Sequence, residues 1–366
     1  MSDKKCLNSR LTKFGKDVFF MQNGLFEDKH KAEGGIFVHV FLKLSLVILI
    51  VVTAGCQVSK YQFNEGWVFG TSYHFVYNSK EDLEPQIKVL MDSFSHSLST
   101  FDTASVISKI NKNTSFQTDS FFRTVFSRAR QISVETGGAF DLTVAPLVNA
   151  WGFGFSKRHE IDSFFIDSLL CNVGMENVSM VNGVIHKQNA NVMLDASAIA
   201  KGYAVDVVAS FLARAGVENY MVEIGGEIVT AGVNPRGFPW QVGIDKPIDD
   251  PSVSEREMEM IVALSGKALA TSGNYRNFYI KDGKKYAHTI NPKTGRPVQH
   301  NLLSASILAN DCLTADAFAT ACMVMGLDSS LTLIESHPEL EACFIYHTDS
   351  GDQVSMTDGF KRIVRE

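Results

Sequence analysis

The stretch Leu194-Asp-Ala-Ser-Ala-Ile-Ala-Lys-Gly-Tyr-Ala-Val-Asp206 does most to define the architecture of this chain, because it predicts a long helix. Asp195 or Ser197 can cap its start. An apolar residue then recurs at every fourth position as a buried stripe: Ile199, Tyr203, Val207 and Phe211. The free N–H groups at a helix start favour anions such as phosphate, and Lys201 would add a positive charge. An ordinary capped helix with an exposed lysine is the alternative.

A second helical stretch, Asp311-Cys-Leu-Thr-Ala-Asp-Ala-Phe-Ala-Thr-Ala-Cys-Met-Val-Met-Gly326, is rich in alanine and mostly apolar. Asp316 and Thr320 are four residues apart and therefore share one face. Two oxygens on one face of an apolar helix fit a hard cation such as Mg²⁺. The alternative is that Asp316 only complements the helix N-terminus. Because an unpaired acid among apolar side chains is costly, we predict a metal site.

Further segments mix helices and strands without a steady βαβ rhythm. Alternating aromatic residues predict a strand over Trp67–Tyr77. Apolar residues three or four apart predict a helix over 82–99, and another helix is predicted over about 119–135, before Gly137-Gly138. The sequence therefore predicts one large α+β domain of mixed sheets and helices, rather than a doubly wound sheet.

Two glycine pairs mark segments that could touch a ligand. Ala139, Phe140 and Asp141 follow Gly137-Gly138, and an aromatic residue beside an acid suits a flat heterocycle that needs stacking and a hydrogen-bond acceptor. A helix stop followed by a strand is the alternative. Gly225-Gly226 interrupts an apolar strand and indicates close backbone packing, against a ligand or another segment. Neither a GxGxxG nor a P-loop pattern occurs in the sequence.

A histidine lies beside a predicted turn in the C-terminal half of the chain. Asp282-Gly283 separates two aromatic-containing runs and predicts a hairpin. Asn291-Pro-Lys-Thr-Gly295 predicts a tight turn. His288 lies between them, where it could act as a general acid or base near neutral pH. A purely structural histidine is the alternative.

The first 55 residues differ from the rest of the chain. The apolar run Leu44–Ala54 follows several lysines and ends at Ala-Gly-Cys56, which is the order of a secretory signal. The run is short for a membrane span, which needs roughly 20 residues. Ala-Gly-Cys resembles a bacterial lipobox, in which Cys56 would be lipidated and become the new N-terminus. An uncut anchor over 36–55 and a start at Met21 are alternatives, and in each case the remaining chain would lie outside the cytoplasm.

These features divide the chain into four parts: a leader at 1–55, a tether at 56–66, a domain at 67–350 and a C-terminal tail at 351–366.

A hydrophobic fraction of 45% and a charged fraction of 20% exclude general disorder. The net charge of −6 argues against non-specific nucleic-acid binding. The four later cysteines lack CxxC spacing, so we expect no zinc site. Cys312 and Cys322 are expected to be free, buried thiols.

Several short motifs occur in one order along the chain: Gly70-Thr-Ser-Tyr73, Ser99-Thr-Phe-Asp102, Gly138-Ala-Phe-Asp141, Trp151-Gly-Phe153, Asp195 to Asp206, Gly225-Gly226, Trp240-Gln-Val-Gly-Ile244, Thr271-Ser-Gly273, His288-Thr-Ile-Asn-Pro292 and Ala315-Asp-Ala317 with Thr320. Together they resemble the ApbE family, the flavin transferases that move FMN from FAD onto a threonine of a target protein. The resemblance runs from about residue 67 to 350.

The resemblance implies Mg²⁺-dependent phosphoryl chemistry with FAD as the substrate. The metal would be held by Asp316, Thr320 and the backbone carbonyl of Ala198. His288 matches the family's candidate catalytic histidine. Contacts to FAD would fall on eight residues: Phe69, Phe101, Ala139, Phe140, Asp141, Asp195, Lys201 and Ile290. Ala319 lies where some members have a second acid, so water would replace one metal ligand here.

The resemblance also implies a partner and a location. The acceptor would carry a Ser/Asp-Gly/Ala-Ala-Thr motif, like the membrane-bound subunits of sodium-pumping or electron-transferring respiratory complexes. A lipid anchor at Cys56 would hold the protein at the periplasmic side of the inner membrane, with the outer membrane as the alternative. Two other activities stay open, namely hydrolysis of FAD to FMN and AMP, and binding of FAD without chemistry.

Overall fold

The computed structural model of the chain describes residues 60–155, 161–249 and 257–365. The leader, the lipidation site predicted at Cys56 and the first part of the tether lie outside the described residues. Those that are described belong to one compact unit. None of the helices in these ranges combines the length and the apolar character that a membrane crossing requires.

The described strands are β1 Tyr61–Val68, β2 Thr71–Asn78, β3 Val178–Val181, β4 Val184–Lys187, β5 Tyr220–Ile224, β6 Glu227–Ala231, β7 Trp240–Asp245, β8 Met258–Leu264, β9 Ala268–Gly273, β10 Phe278–Lys281, β11 Lys284–Ala287, β12 Ile290–Asn291, β13 Arg296–Pro297, β14 Leu302–Ala309, β15 Glu341–Thr348, β16 Gly351–Met356 and β17 Val364–Arg365. The described α-helices are α1 Glu84–Leu98, α2 Val106–Asn111, α3 Ser120–Glu135, α4 Ala145–Trp151, α5 Ser163–Leu170, α6 Ala200–Arg214, α7 Cys312–Met325, α8 Leu327–Glu335 and α9 Asp358–Lys361.

A large antiparallel sheet forms the middle of the molecule. Within the described ranges it has eight strands in the order β1-β2-β5-β6-β9-β14-β15-β16. A smaller sheet, in the order β17-β8-β7, covers part of one face. Helices α1, α3, α6 and α7 cover the other face. This mixture of helices and antiparallel strands confirms the predicted α+β fold.

Alternation along the strands supplies two apolar cores, because successive side chains of a strand point to opposite faces. On β9, Ala268 and Ala270 belong to the core beneath the helices, whereas Leu269 belongs to the core beneath the small sheet. On β2, every second residue is an aromatic buried toward the helices: Tyr73, Phe75 and Tyr77. The sheet is therefore buried on both faces near its centre, and the helices α6 and α7 are fixed against it.

Helices α6 and α7 cross at very short range, since Gly202 is buried against the backbone of Cys312. The start of α7 is capped twice. Asp311 accepts a hydrogen bond from Thr314 N at 2.8 Å. The two carboxylate oxygens of Asp206, on α6, accept from Cys312 N and Leu313 N at 2.8 Å each. These bonds satisfy N–H groups that a helix leaves without partners at its first turn, and they join the two helices.

Replacing Asp206 with alanine is expected to lower the free energy of unfolding by about 2–4 kcal/mol, because two N–H groups of α7 would lose their acceptors in a partly buried position. Asp206→Asn is the matched control, since its amide oxygen can still accept one of the two bonds. Urea unfolding should rank wild type above the asparagine variant and the asparagine variant above the alanine variant. Equal stability of all three would contradict this role of Asp206.

The predicted strand over Trp67–Tyr77 is two strands. Phe69 and Gly70 adopt φ values of 53° and 76° and form the turn between β1 and β2. The prediction of a tether at 56–66 is wrong for its second half, because β1 begins at Tyr61 and pairs along its whole length with β2. Within the described sheet β1 is an edge strand, and none of its residues is completely buried.

The prediction of a C-terminal tail at 351–366 is also wrong. Strand β16 pairs with β15 at the far edge of the large sheet, and β17 pairs with β8. Between them, Phe360 is fully buried in the core beneath the small sheet. The signal was weak because β16 is a polar edge strand with its middle residues exposed.

Two details predicted for the helix after Leu194 need correction. The helix begins at Ala200, its N-cap residue Ile199 makes no side-chain capping bond, and the cap expected from Asp195 or Ser197 is absent. The stripe of every fourth residue is only half-buried beyond Ile199, as at Tyr203. The most buried side lies one position further round the helix: Gly202, Ala204, Val205, Val208, Ala209 and Leu212.

Other local predictions are confirmed. Helices occur at Glu84–Leu98 and Ser120–Glu135, close to the predicted bounds. Asp282-Gly283 is the two-residue turn of the hairpin between β10 and β11. Helix α7 spans the predicted alanine-rich run. Cys312 and Cys322 are free and buried.

Candidate active site

A cavity of about 420 Å³ lies between the start of α6, the middle of α7 and the end of β9. Two further segments, around residues 139–148 and 275–292, complete its wall. Ten of the twelve residues predicted to act in this domain line it: Ala139, Phe140, Asp141, Asp195, Ala198, Lys201, His288, Ile290, Asp316 and Thr320. Residues as far apart in sequence as Ala139 and Thr320 are therefore brought together around one cavity.

The α7 side of the cavity presents oxygen donors. Asp316 is 3% exposed, and its Oδ2 accepts a hydrogen bond from Gly202 N at 2.9 Å. One turn later, Thr320 Oγ1 lies 3.2 Å from Ser272 Oγ at the end of β9. Ala198 lines the same cavity just before α6. A carboxylate, a hydroxyl and a backbone carbonyl are ligand types that suit a hard divalent cation.

An ion pair between a half-buried lysine and a buried glutamate lies on the α6 side. Lys201 Nζ is 2.5 Å from Glu227 Oε1, and the carboxylate of Glu227 is almost fully buried. Burial alone would lower the pKa of Lys201, but the negative charges of Asp316 and Glu227 raise it above its ordinary value. Burial raises the pKa of Glu227, and Lys201 opposes that shift. The lysine is therefore a fixed positive charge at the cavity wall.

Only one carboxylate oxygen of Glu227 pairs with Lys201. Among the described residues, its Oε2 is a buried atom without a hydrogen-bond partner. An unpartnered buried carboxylate oxygen is costly, so this atom is suited to contact a donor or a cation that enters the cavity. The negative charge of Asp316 also raises the pKa of Glu227. Two carboxyl groups, those of Glu227 and Asp316, therefore lie near the charge of Lys201.

His288 lies directly after β11, and one of its ring nitrogens is hydrogen-bonded to the backbone. Its Nδ1 is 3.1 Å from the carbonyl oxygen of Asn277. A carbonyl can only accept, so Nδ1 carries the hydrogen and Nε2 keeps its lone pair. Burial lowers the pKa of His288, and the charge of Lys201 lowers it further. The imidazole is therefore neutral near pH 7 and able to accept a proton at Nε2.

Asp141 is held by the protein rather than left free for a ligand. Its Oδ1 accepts from Thr143 N at 2.7 Å and from Thr143 Oγ1 at 2.5 Å. Its Oδ2 accepts from Met175 N at 3.1 Å. Burial raises the pKa of Asp141, although these hydrogen bonds oppose the shift. The carboxylate fixes the loop that carries Ala139 and Phe140 along the cavity wall.

Asp195 connects two walls of the cavity. Its backbone N donates to Leu142 O at 2.7 Å, and its Oδ1 accepts from Ser197 N at 2.8 Å. Burial raises the pKa of Asp195. The loop before α6 is thereby joined to the loop after Asp141. Ile290, on β12, closes the same region from the opposite side.

Phe69 and Phe101 do not line this cavity. Phe69 packs on the ring of Phe94, with the centroids 5.5 Å apart. Phe101 lies after α1 with a side chain that is 74% exposed. The structure does not bring these two rings to the other ten residues, and their contacts to FAD stay predictions.

Several residues that line the cavity are not indicated by the local sequence. Glu227 follows Gly225-Gly226 in an apolar strand, and an acid among apolar residues is its only signal. Arg276, Asn277 and Ser272 lie in or beside a motif that was recognised, but nothing in their spacing indicated which side chains would face inward.

Comparisons with known proteins agree with this geometry. The model of the ApbE family matches residues 69–344. The FAD:protein FMN transferase of Vibrio cholerae is 35% identical over 85% of this chain and 96% of its own length. That of Haemophilus influenzae is 34% identical over 87% and 96%.

Solved structures show the same fold. The flavin transferase ApbE from Vibrio cholerae superposes with a TM-score of 0.75 and 34% identity, covering 83% of this chain and 99% of that one. The apo form of the Pseudomonas stutzeri flavinyl transferase ApbE gives a TM-score of 0.74 and 30% identity, covering 83% and 96%. The family resemblance predicted from the ordered motifs is confirmed.

Proposed function

Because the chain belongs to the ApbE family, we propose that it transfers FMN from FAD to a hydroxyl group of a target protein and releases AMP. The relatives that it matches are named FAD:protein FMN transferases, and it covers nearly their whole length. The observation that carries the proposal is the shared cavity. Asp316, Thr320, Lys201 and His288 all line it, so oxygen donors, a fixed cation and a neutral base face one space.

The donor set fits Mg²⁺. No cluster of three or more His, Cys, Asp or Glu side chains suited to a metal occurs among the described residues. Mg²⁺ does not need one, since it is commonly bound by one or two carboxylates together with waters and substrate phosphates. Asp316, Thr320 and the carbonyl of Ala198 would hold it, beside the buried oxygen of Glu227 that has no hydrogen-bond partner among the described residues. A bound Mg²⁺ would neutralise the diphosphate of FAD and the charge of the leaving group.

Lys201 and His288 have separate roles in the reaction. Lys201, fixed by Glu227, supplies a positive charge for the phosphate oxygens. His288 Nε2 takes the proton of the acceptor hydroxyl, whose oxygen attacks the phosphorus on the FMN side of FAD. The bond between that phosphorus and the bridging oxygen breaks, and the electron pair leaves with AMP. The product is a phosphoester between FMN and the acceptor oxygen.

Replacing His288 with asparagine is expected to lower kcat by about 10²–10⁴-fold with little change in the Kd for FAD, because a general base is lost while the cavity keeps its shape. Burial and Lys201 lower the pKa of His288 below its ordinary value of 6.5. The neutral base is the active form, so the acid limb of kcat/KM in the wild type should lie below pH 6.5. Stopped assays of AMP release over a pH series measure both effects.

An unchanged acid limb of the pH profile in the asparagine variant, or a kcat equal to that of the wild type, would exclude His288 as the base. Gln353→Asn is a suitable comparison, since Gln353 is exposed on β16, far along the sheet. It should leave both kcat and the pH profile as they are.

The acceptor and the location are further parts of the proposal. The acceptor hydroxyl belongs to a threonine in a Ser/Asp-Gly/Ala-Ala-Thr motif on a respiratory membrane-complex subunit. Lipidation at Cys56 anchors the enzyme at the periplasmic side of the inner membrane, where such a subunit would meet it. The leader sequence supports this, and labelling with a fatty acid that is lost in Cys56→Ser would test it.

Hydrolysis of FAD is the second candidate activity, because water could take the place of the acceptor hydroxyl in the same cavity. The two activities differ in their products. Incubation with FAD, Mg²⁺ and a threonine peptide should release AMP in step with modified peptide if transfer occurs. AMP with an equal amount of free FMN and no modified peptide would instead show hydrolysis.

A further inference from the structure

The motif Trp151-Gly-Phe153 lies at the end of α4, next to the cavity. Gly152 ends the helix with a φ of 85°, and the N–H of Phe153 donates to Val148 O at 3.0 Å. The buried Trp151 donates from Nε1 to Gly295 O at 2.8 Å. Both aromatic residues are therefore held at the end of α4, and the side chain of Phe153 lines the cavity.

Four aromatic rings form a row that joins this motif to the hairpin of β10 and β11. Tyr279 and Tyr286 are opposite each other in the hairpin, with ring centroids 5.2 Å apart and planes inclined by 17°. Trp151 stacks on Tyr286 at 5.6 Å, and Phe153 stacks on Tyr279 at 5.4 Å. Aromatic pairs at these distances attract each other beyond the effect of their buried area. We call these four residues the aromatic row.

The aromatic row ends beside His288. The rings of Phe153 and His288 meet edge to face, with centroids 6.4 Å apart and planes inclined by 69°. Among the described residues, the imidazole has one hydrogen bond, from Nδ1 to Asn277 O. The χ2 torsion of a histidine has a broad energy minimum, so one hydrogen bond leaves the ring able to rotate about it. The contact with Phe153 restricts that rotation.

We propose that Phe153 is a positioning residue for His288, which keeps Nε2 of the imidazole directed into the cavity, and that Tyr279 supports Phe153 from the hairpin. Phe153 has no group that takes or gives a proton, so it acts only through the orientation of His288. This inference rests on the proposed transfer of FMN, in which His288 takes the proton of the acceptor hydroxyl. It adds a residue on which the direction of that proton transfer depends.

The first test replaces Phe153 with leucine in the full-length purified protein, because leucine keeps an apolar side chain but has no flat ring. We expect kcat for AMP release, with FAD and a threonine peptide, to fall by about 10–100-fold, since a small misplacement of a reacting group is costly. The Kd for FAD should change little. Phe164→Leu is the matched control, because Phe164 is 83% exposed on α5, and it should leave kcat as it is.

A double-mutant cycle separates positioning from packing. If Phe153 acts through His288, the variant with both Phe153→Leu and His288→Asn should have the kcat of His288→Asn alone. Two effects that multiply would show that Phe153 acts independently of His288 and would overturn the proposal. A weaker Kd for FAD with an unchanged kcat in Phe153→Leu would also overturn it, because Phe153 would then be a contact to the substrate.

Tyr279 provides a second pair of variants that does not alter the cavity wall. Tyr279→Leu removes the ring on which Phe153 stacks, and we expect a smaller loss of kcat in the same direction. Tyr279→Phe keeps the ring and should have a kcat close to that of the wild type. Equal losses in both variants would contradict a role of the stacked ring. This pair tests the proposal even if Phe153→Leu fails to fold.

The titration of His288 tests the same contact without any reaction. Its ring signal can be followed by NMR of protein labelled with ¹³C-histidine and identified by its loss in His288→Asn. Burial lowers the pKa of His288. Loss of the Phe153 ring admits water, so this pKa should rise toward its ordinary value of 6.5 in Phe153→Leu and stay unchanged in Phe164→Leu. The charged residues that line the same cavity are the same in both variants: Asp141, Asp195, Lys201, Glu227, Arg276 and Asp316.

An equal pKa of His288 in the wild type and in Phe153→Leu would overturn the proposed contact. Failure of the proposed reaction would look different. The wild type would then release no AMP, while the NMR titration of His288 would still respond to Phe153→Leu.

Discussion

A Gly202→Ala variant is expected to lose about 3 kcal/mol or more of folding free energy and nearly all activity, because there is no room for a methyl group at this position. A Cβ on Gly202 would lie 2.2 Å from the carbonyl oxygen of Cys312 and 2.7 Å from Cβ of Asp316. The nearer atom belongs to the backbone of α7, so no rotation of a side chain relieves the contact. Helices α6 and α7 would have to separate.

Separation of these helices affects the site directly. Gly202 N donates to Asp316 Oδ2, and the neighbouring Lys201 faces the same cavity. Moving α7 outward would break that bond and displace the predicted metal ligands from the lysine. A loss of activity larger than the fraction of unfolded protein explains is therefore expected.

Chemical unfolding and AMP release should both be measured for this variant. Ser210→Ala is the matched control, because it adds no atoms on the exposed side of the same helix, and it should change stability by less than about 0.5 kcal/mol. Wild-type stability in Gly202→Ala would show that the close crossing of α6 and α7 is not as described.

Replacing Asp316 with alanine is expected to lower kcat/KM for transfer by about 10³-fold or more, because the only carboxylate of the proposed metal site is lost. Asp316 is buried beside Lys201, so its removal also takes away one of the charges that raise the pKa of that lysine. Binding of Mg²⁺, followed by isothermal titration in the presence of FAD, should weaken in parallel with activity.

Asp316→Asn separates the charge from the packing. An amide of the same shape can still accept the bond from Gly202 N, so this variant should fold like wild type and yet lose most of its activity. Asp328→Asn, at an exposed position on α8, should have no effect on either property. Full activity in Asp316→Asn would contradict the role of a carboxylate in holding the cation.

The sequence was most informative where chemistry and local geometry coincide. Asp316 and Thr320 are four residues apart on an alanine-rich helix, and that spacing alone placed them on one face. His288 could be placed beside the tight turn because Asp-Gly and Asn-Pro-Lys-Thr-Gly have strong turn preferences. The order of the motifs then indicated the family. Turns and helix faces can be predicted in this way because they depend on residues that are close together in the sequence.

The sequence was least informative where contacts are distant. Glu227 gains its importance from Lys201, 26 positions away, and from a burial that no local pattern shows. The edge strand β16 contains few apolar residues, and β1 has the polar run Asn64-Glu-Gly66 between its aromatic residues. On α6, spacing predicted a buried stripe, but the close approach of α7 at Gly202 decided which side is buried most.

The central claim is that this cavity transfers FMN to a protein hydroxyl with the help of Asp316. Intact mass spectrometry of a threonine acceptor peptide, incubated with the enzyme, FAD and Mg²⁺, tests it most directly. We expect a mass gain of one FMN less one water, accompanied by an equal amount of AMP, and neither change with EDTA or with Asp316→Asn. An unmodified peptide in the complete mixture, or a modification that persists with Asp316→Asn, would contradict the account.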